Sequence, residues 1–259
     1  MRSSDRDVAG ACLLLFLAAG CTENSARSSS GSRANSLANS ADTGQARPVD
    51  HSVRGLIVVL GSSTSAGTGP KQPKNAWVWR YKARLAERFP NVTLVNLAMG
   101  GQSTFELQAT GYVPPPNRPA PAIGRNITAA LALNPNAIIV NLPSNDQAND
   151  YPLAEQLANY DRIATSTTGA GVPLWISTTQ PRNFNDSGQL DELMRARDAI
   201  TKKFAPRTLD FWTPFAAPNG FIKPSYDSGD GTHLNDAAHA ILASIVEAAH
   251  IPEQASARD

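Results

Sequence analysis

Short runs rich in Val, Ile and Leu recur along the chain. They occupy residues 55–60 (GLIVVL), 92–97 (VTLVNL), 136–142 (NAIIVNL) and 172–179 (VPLWISTT), with a shorter one at 208–212 (TLDFW). Runs of this length that do not alternate with polar residues predict strands buried on both faces. Between them the period changes. In 75–89 the apolar residues Trp77, Tyr81 and Leu85 recur at helical spacing, and 152–167, 189–204 and 235–250 also read as helices. Asn235 stands where the last of these needs an N-cap. Buried strands alternating with helices predict an α/β protein. The expected architecture is a three-layer α/β/α domain around a five-stranded parallel sheet.

The pattern begins only near residue 53. Ahead of it, an apolar stretch from Val8 to Ala19 follows Arg2 and Arg6 and ends in LAAGC. It is short for a membrane span and fits the apolar region of an export signal. The ending resembles the lipobox of bacterial lipoproteins, which implies cleavage before Cys21, lipid on Cys21, and a membrane partner in the bacterial cell envelope. A plain secreted protein is the alternative. Residues 21–52 are rich in Ser, Ala and Asn, have no apolar period, and read as a tether. The expected organisation is a signal peptide at 1–20, the tether at 21–52 and a catalytic-size domain at 53–259. The other cysteine, Cys12, lies in the signal. The processed domain is thus expected to lack disulfides, a thiol nucleophile and Cys-ligated metal. A formal net charge of +1 gives no argument for a nucleic-acid partner.

In a parallel α/β sheet, ligands bind at the carboxyl ends of the strands. That edge should carry GSSTSAG, NLAMGGQST, NLPSND and STTQPRN, each of which follows a strand. The hydroxyl cluster Ser62, Ser63, Thr64, Ser65 and Thr68 can serve as a phosphate-cradling turn or as the seat of a nucleophile. A phosphate loop needs Lys followed by Ser or Thr, and Lys71 lacks that neighbour. Gly61, Gly67 and Gly69 also miss the dinucleotide spacing. A nucleophile needs a base. Of the four histidines, His51 falls in the tether, while His239 and His250 fall in the last helix. His233 lies in the loop SYDSGDGTHLND with Asp230 three residues before it and Asp227 as a rival carboxylate. Taken alone, this pair also fits a histidine that only pins its own turn.

Four blocks in this order resemble the SGNH (GDSL) hydrolases, a family of esterases and lipases. GSSTSAG is similar to the family's nucleophile turn, NLAMGGQST to its second block, LPSND to its third, and DGTH to its last. The resemblance spans Val53 to Ile251 and implies a flavodoxin-like fold and a serine esterase that needs no metal or cofactor. It implies Ser63 as nucleophile, His233 as base and Asp230 as its orienter. The oxyanion donors would be the N–H groups of Ser63 and Gly101 and the side-chain amide of Asn145. Ser62 stands where the family has Asp, and Pro143 where it has Gly; Ser62 and Ser65 are expected to cap the turn.

The expected substrate is a small-molecule or glycan ester. Short acyl groups, such as acetyl on carbohydrate, come first because no long apolar lid is visible. Gln180 and Arg182 are candidate substrate contacts, and Arg118 and Arg125 are further cations for an anionic or sugar-rich ligand. The Pro-rich stretch 110–126 is expected to wall the cleft, and Trp77 and Trp79 to serve as core or cleft wall. Lysophospholipid or thioester cleavage, acyl transfer to a sugar, and a weakly active surface-anchored binding module are the alternatives. The sequence leaves the oligomeric state open.

The anchoring expectation has a direct test. A buried lipid methylene contributes about 0.8 kcal/mol, so an acylated Cys21 should hold the protein on membranes through a high-salt wash. Cys21→Ala should be released or remain unprocessed. Native protein free in the medium, with an N-terminus other than Cys21, would leave a plain secreted protein.

Overall fold

A computed structural model describes residues 48–256. The signal-like segment, Cys21, the tether up to residue 47 and the last three residues lie outside the described residues. In chain order the elements are β1 (Arg54–Gly61), α1 (Ser63–Ala66), a 3₁₀ turn at Pro73–Asn75, α2 (Trp77–Arg88), β2 (Asn91–Asn96), α3 (Ile127–Leu131) and β3 (Ala137–Asn141). There follow α4 (Asn145–Ala148), α5 (Leu153–Gly169), β4 (Leu174–Ser177), α6 (Ser187–Phe204), β5 (Thr208–Leu209), α7 (Asp236–Ala248) and α8 (Ile251–Ser256).

The five strands form one sheet in the order β2-β1-β3-β4-β5, and every pairing is parallel. This is the α/β architecture expected from the strand pattern. Within the apolar strands the two-residue period reappears as a division between two cores. Ile57, Val59 and Ile139 face Trp77, Tyr81, Leu242 and Val246 of α2 and α7. Val58, Leu60, Ile138 and Val140 face Ile127, Tyr160, Ile163 and Ile200 of α3, α5 and α6. Alternate side chains of one strand thus serve opposite layers, and both must be apolar.

The long helices lie within two residues of their expected limits. α7 begins as anticipated, with the Asn235 side chain accepting from the N–H groups of Ala237 and Ala238. The fifth strand is shorter than its apolar run. Asp210 Oδ1 accepts from the N–H groups of Trp212 and Thr213, turning the chain out of the sheet. The elements α1, α3, α4 and α8 span four to six residues each and are too short to show a period in the sequence.

The histidine of the last helix is a core element. His239 is fully buried on α7, and its Nδ1 accepts from the Trp77 N–H, the first of α2, at 3.0 Å. That hydrogen bond requires an unprotonated Nδ1. Burial, followed by the charge of Arg80, lowers its pKa from 6.5 to about 3. The folded state therefore resists a proton that the unfolded chain takes up below pH 6.5. Stability contributed by neutral His239 is complete above that pH and is lost as pH falls toward 3. Relative to His239→Gln, the native protein should lose about 2 kcal/mol between pH 7.5 and pH 5 in unfolding measurements. An unchanged difference between the two proteins would show that His239 does not titrate on unfolding.

Candidate active site

The nucleophile candidate is placed by a tight crossing of strand ends. Gly61 closes β1 against β3, and a Cβ there would run into the carbonyl oxygen of Asn141. The next residue donates its N–H to that same carbonyl, Ser62 N to Asn141 O, at 3.1 Å. The chain then turns at once into α1. Three hydroxyls of the turn point inward. Ser65 Oγ donates to Asn141 Oδ1 at 2.8 Å, Thr64 Oγ1 donates to Gln180 Oε1 at 2.9 Å, and Ser62 Oγ accepts from Asn145 Nδ2 at 2.6 Å. Ser62, Thr64 and Ser65 are fully buried, whereas Ser63 is partly exposed. The expectation that Ser62 and Ser65 cap the turn is corrected. No side chain caps α1, and each of these hydroxyls is tied to another strand end or loop.

The base candidate arrives from the loop before α7. His233 Nε2 lies 2.9 Å from Ser63 Oγ, and its Nδ1 lies 2.6 Å from Asp230 Oδ2. Asp230 also accepts from the N–H groups of Thr232 and His233 and from Ser228 Oγ. Burial alone would raise its pKa. Hydrogen bonds from the His233 ring and from the two backbone N–H groups outweigh this and hold the carboxyl well below the usual range. An ionised carboxylate only accepts, so Nδ1 carries the proton and Nε2 presents its lone pair to the Ser63 hydroxyl.

Asp227 has a different task. Its Oδ1 accepts from the N–H groups of Gly229 and Gly231, and its Oδ2 from Asn183 Nδ2. It also pairs with Leu234 in a short antiparallel bridge. Asp227 closes the loop that Asp230 and His233 stand on.

The remaining donors come from the loops after β2 and β3. Gly101 has φ +86°, a backbone conformation that suits glycine, and its N–H has no partner among the described residues. Asn145 starts α4, and its Nδ2 donates to Ser62 Oγ at 2.6 Å and to Gln102 O at 2.8 Å. The structure thus brings Asn145 to the serine turn with both amide hydrogens already engaged.

Behind this loop lies a residue that the sequence reading passed over. Asp146 is fully buried and accepts from Thr104 N at 3.1 Å and Thr104 Oγ1 at 2.5 Å. Asn159 on α5 donates to the same Thr104 hydroxyl oxygen. Burial pushes the Asp146 carboxyl up to about 6, against the pull of the Thr104 hydrogen bonds. Asp146 ties the Gly101 loop to the helix that begins at Asn145. The signal was present in SND, but a buried carboxylate and its threonine lie far apart in the chain.

Three substrate-contact expectations are corrected. Gln180 is 1% exposed, accepts from Thr64 and donates to Thr232 O, so its amide joins the serine turn to the histidine loop. Arg118 is paired with Glu155 at 2.7 Å and lies over Tyr151. Arg125 reaches the carbonyls of Leu97 and Ala98. Arg182 stays near the site, half-buried beside Ser144. Trp77 is core, while Trp79 is 41% exposed on the outer face of α2.

A serine, a histidine and a carboxylate joined by hydrogen bonds at the carboxyl ends of a parallel sheet fit the class of three-layer α/β hydrolases. The chain belongs to the GDSL-like lipase/acylhydrolase family, whose model matches residues 59–241, and is a carboxylic ester hydrolase. Comparison with curated proteins gave no match. Among solved structures it is similar to the psychrotrophic esterase EstA from Pseudoalteromonas sp., inhibited by monoethylphosphonate. The identity is 16%, over 74% of this chain and 94% of that one, with TM-score 0.53. It is also similar to the acetyl xylan esterase AlAXEase (13% identity, 75% and 98% covered, TM-score 0.58). A third likeness is to the two-domain esterase CEX, active on acetylated mannans and co-crystallised with mannopentaose (15% identity, 79% and 51% covered, TM-score 0.51). At these identities the likeness is one of fold.

The two carboxylates can be told apart by mutation. Asp230→Asn should lower turnover by about 10³- to 10⁴-fold, because an amide cannot hold Nδ1–H as its donor in the same way. Asp227→Asn should lower the melting temperature and leave most of the turnover. The opposite ranking in kcat would assign the orienting role to Asp227.

Proposed function

We propose that the protein hydrolyses short acyl esters, acetyl groups on carbohydrate among them, through an acyl-enzyme on Ser63. The observation that carries this reading is the chain Ser63 Oγ–His233 Nε2–Asp230, with links of 2.9 and 2.6 Å. Ser63 gives its proton to His233 as its oxygen attacks the ester carbonyl. Asp230 keeps the imidazole in the required tautomer and stabilises the imidazolium that forms. His233 then returns the proton to the leaving alcohol, and water, activated by the same histidine, releases the acid.

The developing oxyanion is met by the N–H groups of Ser63 and Gly101, which have no acceptor among the described residues. Asn145 joins them by redirecting the hydrogen it gives to Ser62. A neutral hydroxyl is a weaker acceptor than an oxyanion, so the exchange favours the transition state. One such donor contributes about 3 kcal/mol.

Exposure leaves room for a bulky alcohol such as a carbohydrate. Gly100, Gly101 and Asp230 are exposed, and Ser63 is only partly buried, so the edge is open on the side of the Gly101 loop. The polysaccharide acetyl esterases of similar fold support the carbohydrate part of the reading. Export and lipid attachment at Cys21 belong to the same proposal and rest on the LAAGC ending.

A fluorophosphonate probe should label Ser63, and Ser63→Ala should abolish the label. Rates on p-nitrophenyl esters should fall from acetate through butyrate to octanoate. An adduct on Ser62 or Ser65 would overturn the assignment of the nucleophile. Rates rising with chain length would favour a lysophospholipase or thioesterase, and acyl transfer to added sugar at the expense of hydrolysis would favour a transferase.

A further inference from the structure

A cation without a carboxylate stands at the rim of the site. Arg182 follows β4 in the loop TTQPRN and is half-buried. Its guanidinium lies over the Phe184 ring, 4.7 Å from the centroid, and its Nη1 is 3.4 Å from Ser144 Oγ, a long contact. Ser144 is buried and directly precedes Asn145. Among the described residues Arg182 makes no ion pair and no other hydrogen bond. The other cations expected at the cleft are occupied, Arg118 by Glu155 and Arg125 by two backbone carbonyls.

The guanidinium is a rigid fork of donors that remains charged in proteins, and most of the fork is unused here. The carboxylate whose charge it feels is Asp230, which already holds His233, Thr232 and Ser228. Removing a cation from water without a partner costs free energy, and a bound anion would offset that cost. The position matters as much as the charge. Arg182 touches the residue before Asn145, and its neighbour Asn183 is bonded to Gly231 and Asp227 of the histidine loop, so it stands between the Asn145 loop and the loop that carries His233.

We infer that Arg182 recognises a carboxylate carried by the ester substrate. The inference rests on the esterase reading and narrows its substrate class to esters bearing one negative charge close to the scissile bond. A planar fork matches a carboxylate bidentately. A single cation with Asp230 nearby balances one negative charge better than the two of a phosphate monoester.

Two substrate pairs test this on the full chain, each pair differing only in charge. 4-Acetoxybenzoate against 4-acetoxybenzamide places the carboxylate on the alcohol side. p-Nitrophenyl hemisuccinate against the p-nitrophenyl ester of succinamic acid places it on the acyl side. The native enzyme should prefer the charged member of one pair by about 10-fold or more in kcat/KM, chiefly through KM, and less so at high salt. The pair that shows the preference identifies the side. Arg182→Gln should lose far more on the charged ester than on its neutral partner, bringing the ratio close to unity. Arg182→Lys, which keeps the charge but not the fork, should hold an intermediate ratio. No preference in either pair, or equal losses on charged and neutral esters in Arg182→Gln, would overturn the inference while the esterase reading stands. Absence of hydrolysis of all four esters, with no fluorophosphonate label on Ser63, would instead remove both.

Discussion

Asn141 fastens the serine turn to the sheet. It ends the central strand β3, and its carbonyl and side-chain amide are engaged at the carboxyl edge. Its carbonyl accepts from Ser62 N, its Oδ1 from Ser65 Oγ, and its Nδ2 donates to Ser177 Oγ at the end of β4. Three adjacent strand ends are thereby locked through one buried amide. A buried amide left without partners costs free energy, so each bond stabilises the others' geometry. Gly61 makes the approach possible, because any side chain there would meet the Asn141 carbonyl. With Ser62 and Ser65 drawn inward on either side, Ser63 is the hydroxyl left facing the histidine loop.

That loop is cross-linked by its own hydrogen bonds where it meets the turn. Asp227 organises the loop by accepting from two glycine N–H groups, while Asp230 receives the imidazole. Gln180 couples the two halves, taking a hydrogen from Thr64 beside the nucleophile and giving one to Thr232 beside the base. The candidate nucleophile and base, separated by 170 positions in the chain, thus share a link through Gln180 as well as a direct hydrogen bond. Preorganisation of this kind lowers the reorganisation required as charge develops.

What could be read from the sequence follows from what is local. The strand runs and long helices were legible because burial writes a period into contiguous residues. The split of Ile57 and Val59 from Val58 and Leu60 between two cores was not, since both faces demand the same residue types. The triad candidates were legible as ordered blocks. The inward bonds of Ser62, Thr64 and Ser65 were not, because their partners Asn145, Gln180 and Asn141 lie 76 or more positions away. Gln180 looked like a substrate contact for the same reason: a polar residue at the functional edge gives no local sign of whether it faces in or out. Asp146 was hidden beside Asn145, with its function set by Thr104.

The departure at Ser62 acquires a physical meaning from this arrangement. A carboxylate at that position would place a charge against Asn145 and next to Ser63. The Ser62 hydroxyl fills the position without a charge and still gives Asn145 an acceptor, so the amide stays oriented between it and Gln102 O. The buried carboxylate of this region is instead Asp146, whose hydrogen bonds come from Thr104 and whose ionisation burial disfavours. Negative charge near the Asn145 helix is therefore screened by its own donors, while at the rim Arg182 makes no ion pair among the described residues. The edge around Ser63 thus combines neutral groups at Ser62 and Asn145 with the Asp230–His233 pair and, at Arg182, a cation that no carboxylate pairs among the described residues.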